Sequence, residues 1–291
     1  MTGFRGWLAV LALVVPALAG AADLVVEAVQ MPAWLERGGT REPLAPGMAL
    51  RSADRVVTGA GARALLRLAD GSLIRLGENG ALGLDNVALQ RSAAQDLLTA
   101  SLDVAAGAFR FTTQALRRFR GGRDVRIRIV AVTAGIRGTD LWGKAAPDRD
   151  VLCLIEGNIS VTHGDRTFTM DEPKSFYIAP RDGPPKPVAR VSDEQLAQWA
   201  AEVEIAPGAG AARTGGQWAV EIAAVDTQPA ALAVYDALRA AGYVARIRPV
   251  AVEAGVSYRV RVPGLATQQD ARALAAQLAG RFGPDAPRVV R

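Results

Sequence analysis

Short apolar runs, separated by turn residues about every ten positions, constrain this chain more than any other feature. Between residues 24 and 180 they fall at 24–29, 55–57, 64–68, 73–76, 125–130, 140–144, 151–155, 158–162, 167–170 and 175–178. Each is short and rich in Val, Leu, Ile or Phe, so each reads as a strand rather than a helix. Asp70-Gly71, Glu156-Gly157 and His163-Gly164-Asp165 stand between such runs and supply hairpin turns. The region is therefore predicted to be mostly β, a jelly roll or sandwich or a short β-solenoid. Residues 85–102 lack the pattern and read as a helix or a long loop.

The C-terminal part alternates instead. Residues 218–222 form a strand, and Thr227 opens a helix to residue 241 with Leu232, Tyr235 and Leu238 three apart. Gly242 ends it before a strand at 243–250. The pattern then returns, with a strand at 258–262, Thr267 as helix cap, a helix carrying Ala271, Leu274 and Leu278, and a last strand at 287–290. This βαββαβ order over 217–291 predicts an α+β domain: a four-stranded antiparallel sheet with two helices on one face and the other face uncovered. Residues 181–216 read as the linker after a β domain at 22–180. Pro184, Pro185 and Pro187 open it. Ser192 caps a helix over 192–203 with Leu196, Trp199 and Val203 on one stripe, and Gln195 is placed to complete a capping box. Residues 207–216 carry no core-forming side chain.

Residues 1–21 read as a signal peptide. Arg5 precedes an apolar stretch at 7–18, and Ala19-Gly20-Ala21 is a cleavage site. That stretch is shorter than the ~20 residues a spanning helix needs. No later segment is long and apolar enough to span, so the expected product is periplasmic with no transmembrane segment after cleavage.

One Cys, Cys153, and one His, His163, exclude a disulfide framework, a multi-Cys metal site and most His-based mechanisms. Cys153 sits in an apolar run and reads as a buried, inert thiol. Net charge is +5, and 31 of the 34 basic residues are Arg. This permits polyanion binding without demanding it. The cluster Arg117, Arg118, Arg120, Arg123, Arg126 and Arg128, near Phe111 and Phe119, reads as a solvated loop and strand face. Export argues against nucleic acid as its partner. No second carboxylate stands at motif spacing from Asp70, so no enzyme activity, cofactor or metal is expected.

Two resemblances join these readings. Val56-Val-Thr-Gly59, Ala64 to Leu76 with its Asp70-Gly-Ser72, Val132-Thr133, Gly135-Ile-Arg-Gly-Thr-Asp140 and Ile155-Glu-Gly157 make residues 24–180 resemble a FecR domain, an exported β-rich module. In its best-known form that module senses a loaded receptor and signals through a membrane. Neither the cytoplasmic segment nor the internal membrane helix that such signalling uses is expected from this sequence, so the signalling role is not carried over. Within the motif, Gly135, Arg137, Gly138 and Thr139 read as a structural turn.

Residues 217–291 resemble a SPOR domain through Trp218-Ala-Val-Glu-Ile222, Ala237-Leu-Arg-Ala-Ala-Gly-Tyr243 and Tyr258-Arg-Val-Arg-Val262 with Gly264. Such domains bind septal peptidoglycan at glycan strands stripped of stem peptides. The chain departs from that family at Glu221, where Gln is common, and at Pro263-Gly264-Leu265, where Gly-Pro-Phe is common.

Alternation places Glu221 on one face of its strand, and Arg259 and Arg261 on one face of theirs, opposite the apolar positions. Arginine forks suit the lactyl carboxylates of a glycan strand, and an aromatic ring can stack on a sugar. The expected glycan-binding residues are Glu221, Tyr258, Arg259 and Arg261, although alternation sets Tyr258 with Val260. The bland alternative is a solvated sheet face with both arginines paired to Glu221. The resulting expectation is a non-enzymatic protein that docks on septal peptidoglycan and recruits or senses an unidentified envelope protein. A signalling component or a regulator of wall hydrolases is the alternative.

Overall fold

The computed structural model describes residues 23–113, 121–253, 255–283 and 286–291. The expected signal peptide, together with Arg117, Arg118, Phe119 and Arg120, lies outside the described residues. Strands come first: β1 (Leu24–Gln30), β2 (Ala33–Arg37), β3 (Thr40–Pro43), β4 (Ala49–Leu50), β5 (Arg55–Thr58), β6 (Arg63–Leu68), β7 (Leu73–Leu76), β8 (Ala81–Gln90), β9 (Leu97–Thr112), β10 (Gly122–Ile129), β11 (Val132–Ala145), β12 (Arg149–His163), β13 (Arg166–Met170), β14 (Ser175–Pro180) and β15 (Ala189–Arg190). Then follow α1 (Asp193–Ala201), β16 (Ala211–Arg213), β17 (Trp218–Val225), α2 (Gln228–Ala240), β18 (Arg246–Val252), β19 (Gly255–Leu265), α3 (Gln268–Leu278) and β20 (Arg288–Val290).

The first fifteen strands make two packed sheets that share three long strands. The first half of β9 pairs with β8 and, in parallel, with β10, while its second half pairs with β7 and β11. β11 and β12 divide in the same way, and their other neighbours are β10 and β13 in one sheet and β9 and β14 in the other. Glycines at positive φ, Gly107, Gly138 and Gly157, stand where these strands cross between sheets. At Gly157 a Cβ would run into the carbonyl oxygen of Gly138, so the crossing admits no side chain there. Period-2 alternation drives the packing. Val125, Ile127 and Ile129 of β10 point into the core, while Arg126 and Arg128 point out.

Residues 85–102, expected as helix or loop, are mostly strand, in β8 and β9. A register shift between Leu84 and Asn86 breaks the strict alternation that would have revealed it. In α1 the Ser192 hydroxyl accepts from the Gln195 amide at 3.2 Å, but the Gln195 side chain donates to Gln198 and leaves the capping box half formed. At α3 the box is complete, with Asp270 in the reciprocal role that Gln195 does not take.

The last four strands form an antiparallel sheet in the order β20–β17–β19–β18. α2 and α3 bury Ala231, Leu238, Ala271, Leu274 and Leu278 against Val220, Val260 and Val262. The stretch expected to be a featureless linker holds β16, which pairs with β1 on one side and with β19 on the other. Ala211 and Ala212 are buried there, and Asp270 accepts from the amides of Gly210 and Ala211 at 3.1 and 3.3 Å. The Ala33 amide adds a bond to the Gly242 carbonyl at 3.2 Å. Among the described residues no helix is long and apolar enough to cross a membrane.

Candidate functional site: an arginine face on the C-terminal sheet

Register decides which side chains meet on the face of this sheet away from α2 and α3. Glu221 of β17 stands between Arg261 of β19 and Arg288 of β20. On the other side of β19, Arg246 of β18 stands directly opposite Arg261, and Arg248 directly opposite Arg259. Five arginines and one carboxylate therefore share this face. Glu221 is only 3% exposed. It accepts from Arg261 Nε at 3.0 Å and Arg261 Nη2 at 2.8 Å, and from Arg288 through its other oxygen.

Burial alone would push the Glu221 carboxyl up. The hydrogen bonds and charges of Arg261 and Arg288 outweigh it and hold the group below its ordinary value of 4.5. Arg246, Arg248 and Arg259 have no carboxylate partner among the described residues, and the Arg259 Nε–H is buried without an acceptor. Two directly opposed Arg–Arg pairs repel, which sheets normally avoid.

Of the residues expected from sequence, Glu221, Arg259 and Arg261 are brought together here. Tyr258 is not: it stands opposite Pro249 and Val225 on the helix side, packed against the core. Tyr243 is buried, with its hydroxyl accepting from Gln277 at 3.2 Å. Arg246, Arg248 and Arg288 were not anticipated. The alternation Arg246-Ile247-Arg248 was a readable signal for the first two, but their pairing with β19 was not. Arg288 belongs to a three-residue strand with no local signature.

The Gly135 to Asp140 motif is built into the crossing of β11. Thr139 donates from its hydroxyl to the Asn158 carbonyl at 3.0 Å, and its amide donates to Thr113 Oγ1 at 3.2 Å. Asp140 is held by both forks of Arg110, at 2.8 and 2.7 Å. A Cβ on Gly135 would sit 2.6 Å from Ser160 Oγ. Arg137 pairs through its backbone with Asn158, and its side chain lies outside the described part. Asp70 accepts from Ser72 and from Arg123 Nε at 2.6 Å, so it pins its hairpin to β10. His163 Nδ1 shares a hydrogen bond of 2.8 Å with the Tyr177 hydroxyl. The Cys153 thiol is buried, and burial pushes it up to about 12.

The family model described as FecR protein matches residues 54–160, and that of the SPOR domain matches residues 214–286. No curated protein matches the sequence. Two crystal structures of a Parabacteroides distasonis protein described as an anti-sigma factor are similar to the chain. The one at 1.65 Å is 13% identical, with a TM-score of 0.40, over 50% of this chain and 64% of its own length. The one at 2.50 Å is 14% identical, with a TM-score of 0.39, over 77% of this chain and 89% of its own.

Proposed function

For a chain that carries a FecR region followed by a SPOR domain, we propose an exported, non-enzymatic envelope protein. It docks on peptidoglycan glycan strands through the arginine face and engages an envelope protein through its β domain. The carrying observation is the opposed pairs Arg246–Arg261 and Arg248–Arg259, with three of these arginines lacking a carboxylate. Such repulsion is relieved when an anion bridges the guanidinium forks, each of which can hold a carboxylate through two parallel hydrogen bonds.

A glycan strand stripped of its stem peptides presents a lactyl carboxylate at regular intervals. A substituted strand has that group consumed as an amide. The face therefore favours stripped strands, which accumulate where amidases work at the division septum. Glu221 sets the strength of the site, because it holds Arg261 and Arg288 that would otherwise turn to the ligand.

Cosedimentation of the full chain with intact and amidase-treated sacculi tests this. The expected result is a preference for stripped sacculi, lost in the Arg259→Ala plus Arg261→Ala chain and weakened by salt. Absence of binding to either form overturns the docking. Muropeptides released during the incubation would overturn the non-enzymatic reading.

A further inference from the structure

The second sheet of the β domain has an apolar patch on its outer face, separate from the main core. Register runs one row straight across five strands: Arg75, Arg110, Trp142, Cys153 and Phe176. A parallel row holds Ala108, Lys144, Val151 and Ile178. The cover over these rows is α1 and the residues just beyond it. Trp199 stacks flat on Trp142, with centroids 4.6 Å apart and planes 2° apart, and meets the Phe176 ring edge-on. Leu196 and Val203 complete the stripe. Acids on and beside the helix meet bases around the patch: Asp193 with Lys174, Glu202 with Lys144, and Glu204 with Arg75 and Arg110.

Val203, just beyond the helix, is fully buried in the patch, but α1 itself is lightly held. α1 has nine residues, none of them buried, and isolated helices shorter than ~12–15 residues are marginal. Its Asp193–Lys174 pair lies in solvent, where it is worth little, and the Glu202 and Glu204 pairs are half-buried at the rim. The Trp142 indole N–H is buried without an acceptor, a bond that α1 leaves unmade.

We propose that this patch is the partner-docking surface of the β domain and that α1 is its resident stand-in. The partner would present an acidic amphipathic helix with an aromatic residue at its centre and apolar residues three positions before and four after, as Leu196, Trp199 and Val203 do. The inference rests on the reading that the β domain engages a protein. It is independent of the arginine face.

Cys153, the one thiol of the chain, lies under α1 and reports on its displacement. The test measures the rate at which a small aromatic disulfide reagent modifies Cys153 in the full chain. The probe is an end-blocked peptide copying residues 190–206, with a Trp199→Ala copy as control. Two chains are compared with the native one: Trp199→Ala, and Glu202→Lys with Glu204→Lys, which reverses rim charge without touching the apolar stripe.

Both altered chains are expected to react at least about tenfold faster than the native chain, since an aromatic stack and buried apolar area are lost or loosened. The native-sequence peptide should restore protection and the control peptide should not. Unchanged Cys153 rates in both folded variants, or failure of the peptide to protect, overturn the proposal. So does protection that arises from dimers of the chain, because the occupant would then be α1 of a second copy. Should Trp199→Ala fail to fold, the charge-reversed chain decides. Sacculus binding by the same chains is expected to match the native chain, which separates failure here from failure of wall docking.

Discussion

Replacing Glu221 by Gln separates a carboxylate that competes for the arginines from one that contacts the ligand, because the two readings give opposite signs for binding. The substitution keeps the shape and removes the one carboxylate that, among the described residues, stands on the face with these five arginines. The loss to folding comes chiefly from Arg261, which is 16% exposed and makes two charged hydrogen bonds to Glu221. Hydrogen bonds to charged groups contribute about 1.5–3 kcal/mol. Arg288 is 67% exposed, so its pair adds less than ~1 kcal/mol. A destabilisation of roughly 2–3 kcal/mol is expected in denaturant titration.

Binding should move the other way. A negative charge removed from about 6 Å of a bound carboxylate relieves ~0.7 kcal/mol of repulsion at the dielectric constant of water, and more in a partly desolvated site. Arg261 and Arg288 are also released to the ligand. Affinity for stripped glycan should therefore rise at least about threefold, and the gain should shrink as salt is added. Calorimetry with soluble stripped glycan measures it. Weaker binding by a folded Glu221→Gln chain would refute the argument, because Glu221 would then be contacting the ligand rather than competing for the arginines.

Three other outcomes follow. Gly157→Ala puts a Cβ against the Gly138 backbone at φ +94 and should cost about 3 kcal/mol or more, seen as a lowered denaturation midpoint or loss of soluble protein. Gly242→Ala, at φ +84 with a Cβ 2.6 Å from the Trp34 ring, should cost about 1–3 kcal/mol by straining the contact between α2 and the β2 region, and an unchanged melting temperature would count against that contact. Asp54 and Glu221 are both pushed up by burial, but arginine and backbone hydrogen bonds outweigh this and hold them below their ordinary values of 3.8 and 4.5. Their stabilisation is thus present above the unfolded values and lost as pH falls through the lower folded ones, so a denaturation midpoint that is level from neutral pH to about 5 and drops below about 4 is expected, with the drop reduced in Glu221→Gln.

Sequence carried the alternating elements well. Residues 258–262 show which side chains share a face, because period 2 is local, whereas register shifts on either side of Val220 and Glu221 interrupt it in β17. What stayed hidden was pairing. Nothing near Arg246 announces that it opposes Arg261, and a three-residue strand such as β16 has no propensity signal, since it exists by bonding to β1 and β19. The crossing strands were hidden for a related reason. The shift at Leu84 breaks the alternation by which β8 would be read. Trp199 was visible as part of a stripe, but not its stacking partner Trp142, more than fifty residues earlier and in another layer.

The central claim is that the opposed arginines read the lactyl carboxylate. Stripped glycan whose carboxylates have been converted to methylamides keeps its sugars and length but loses that charge. The full chain should bind it at least about tenfold more weakly than untreated stripped glycan, a difference of about 1.4 kcal/mol or more, and the Arg259→Ala plus Arg261→Ala chain should bind both forms equally poorly. Equal binding of the native chain to both forms would contradict the claim and move recognition to the sugar ring.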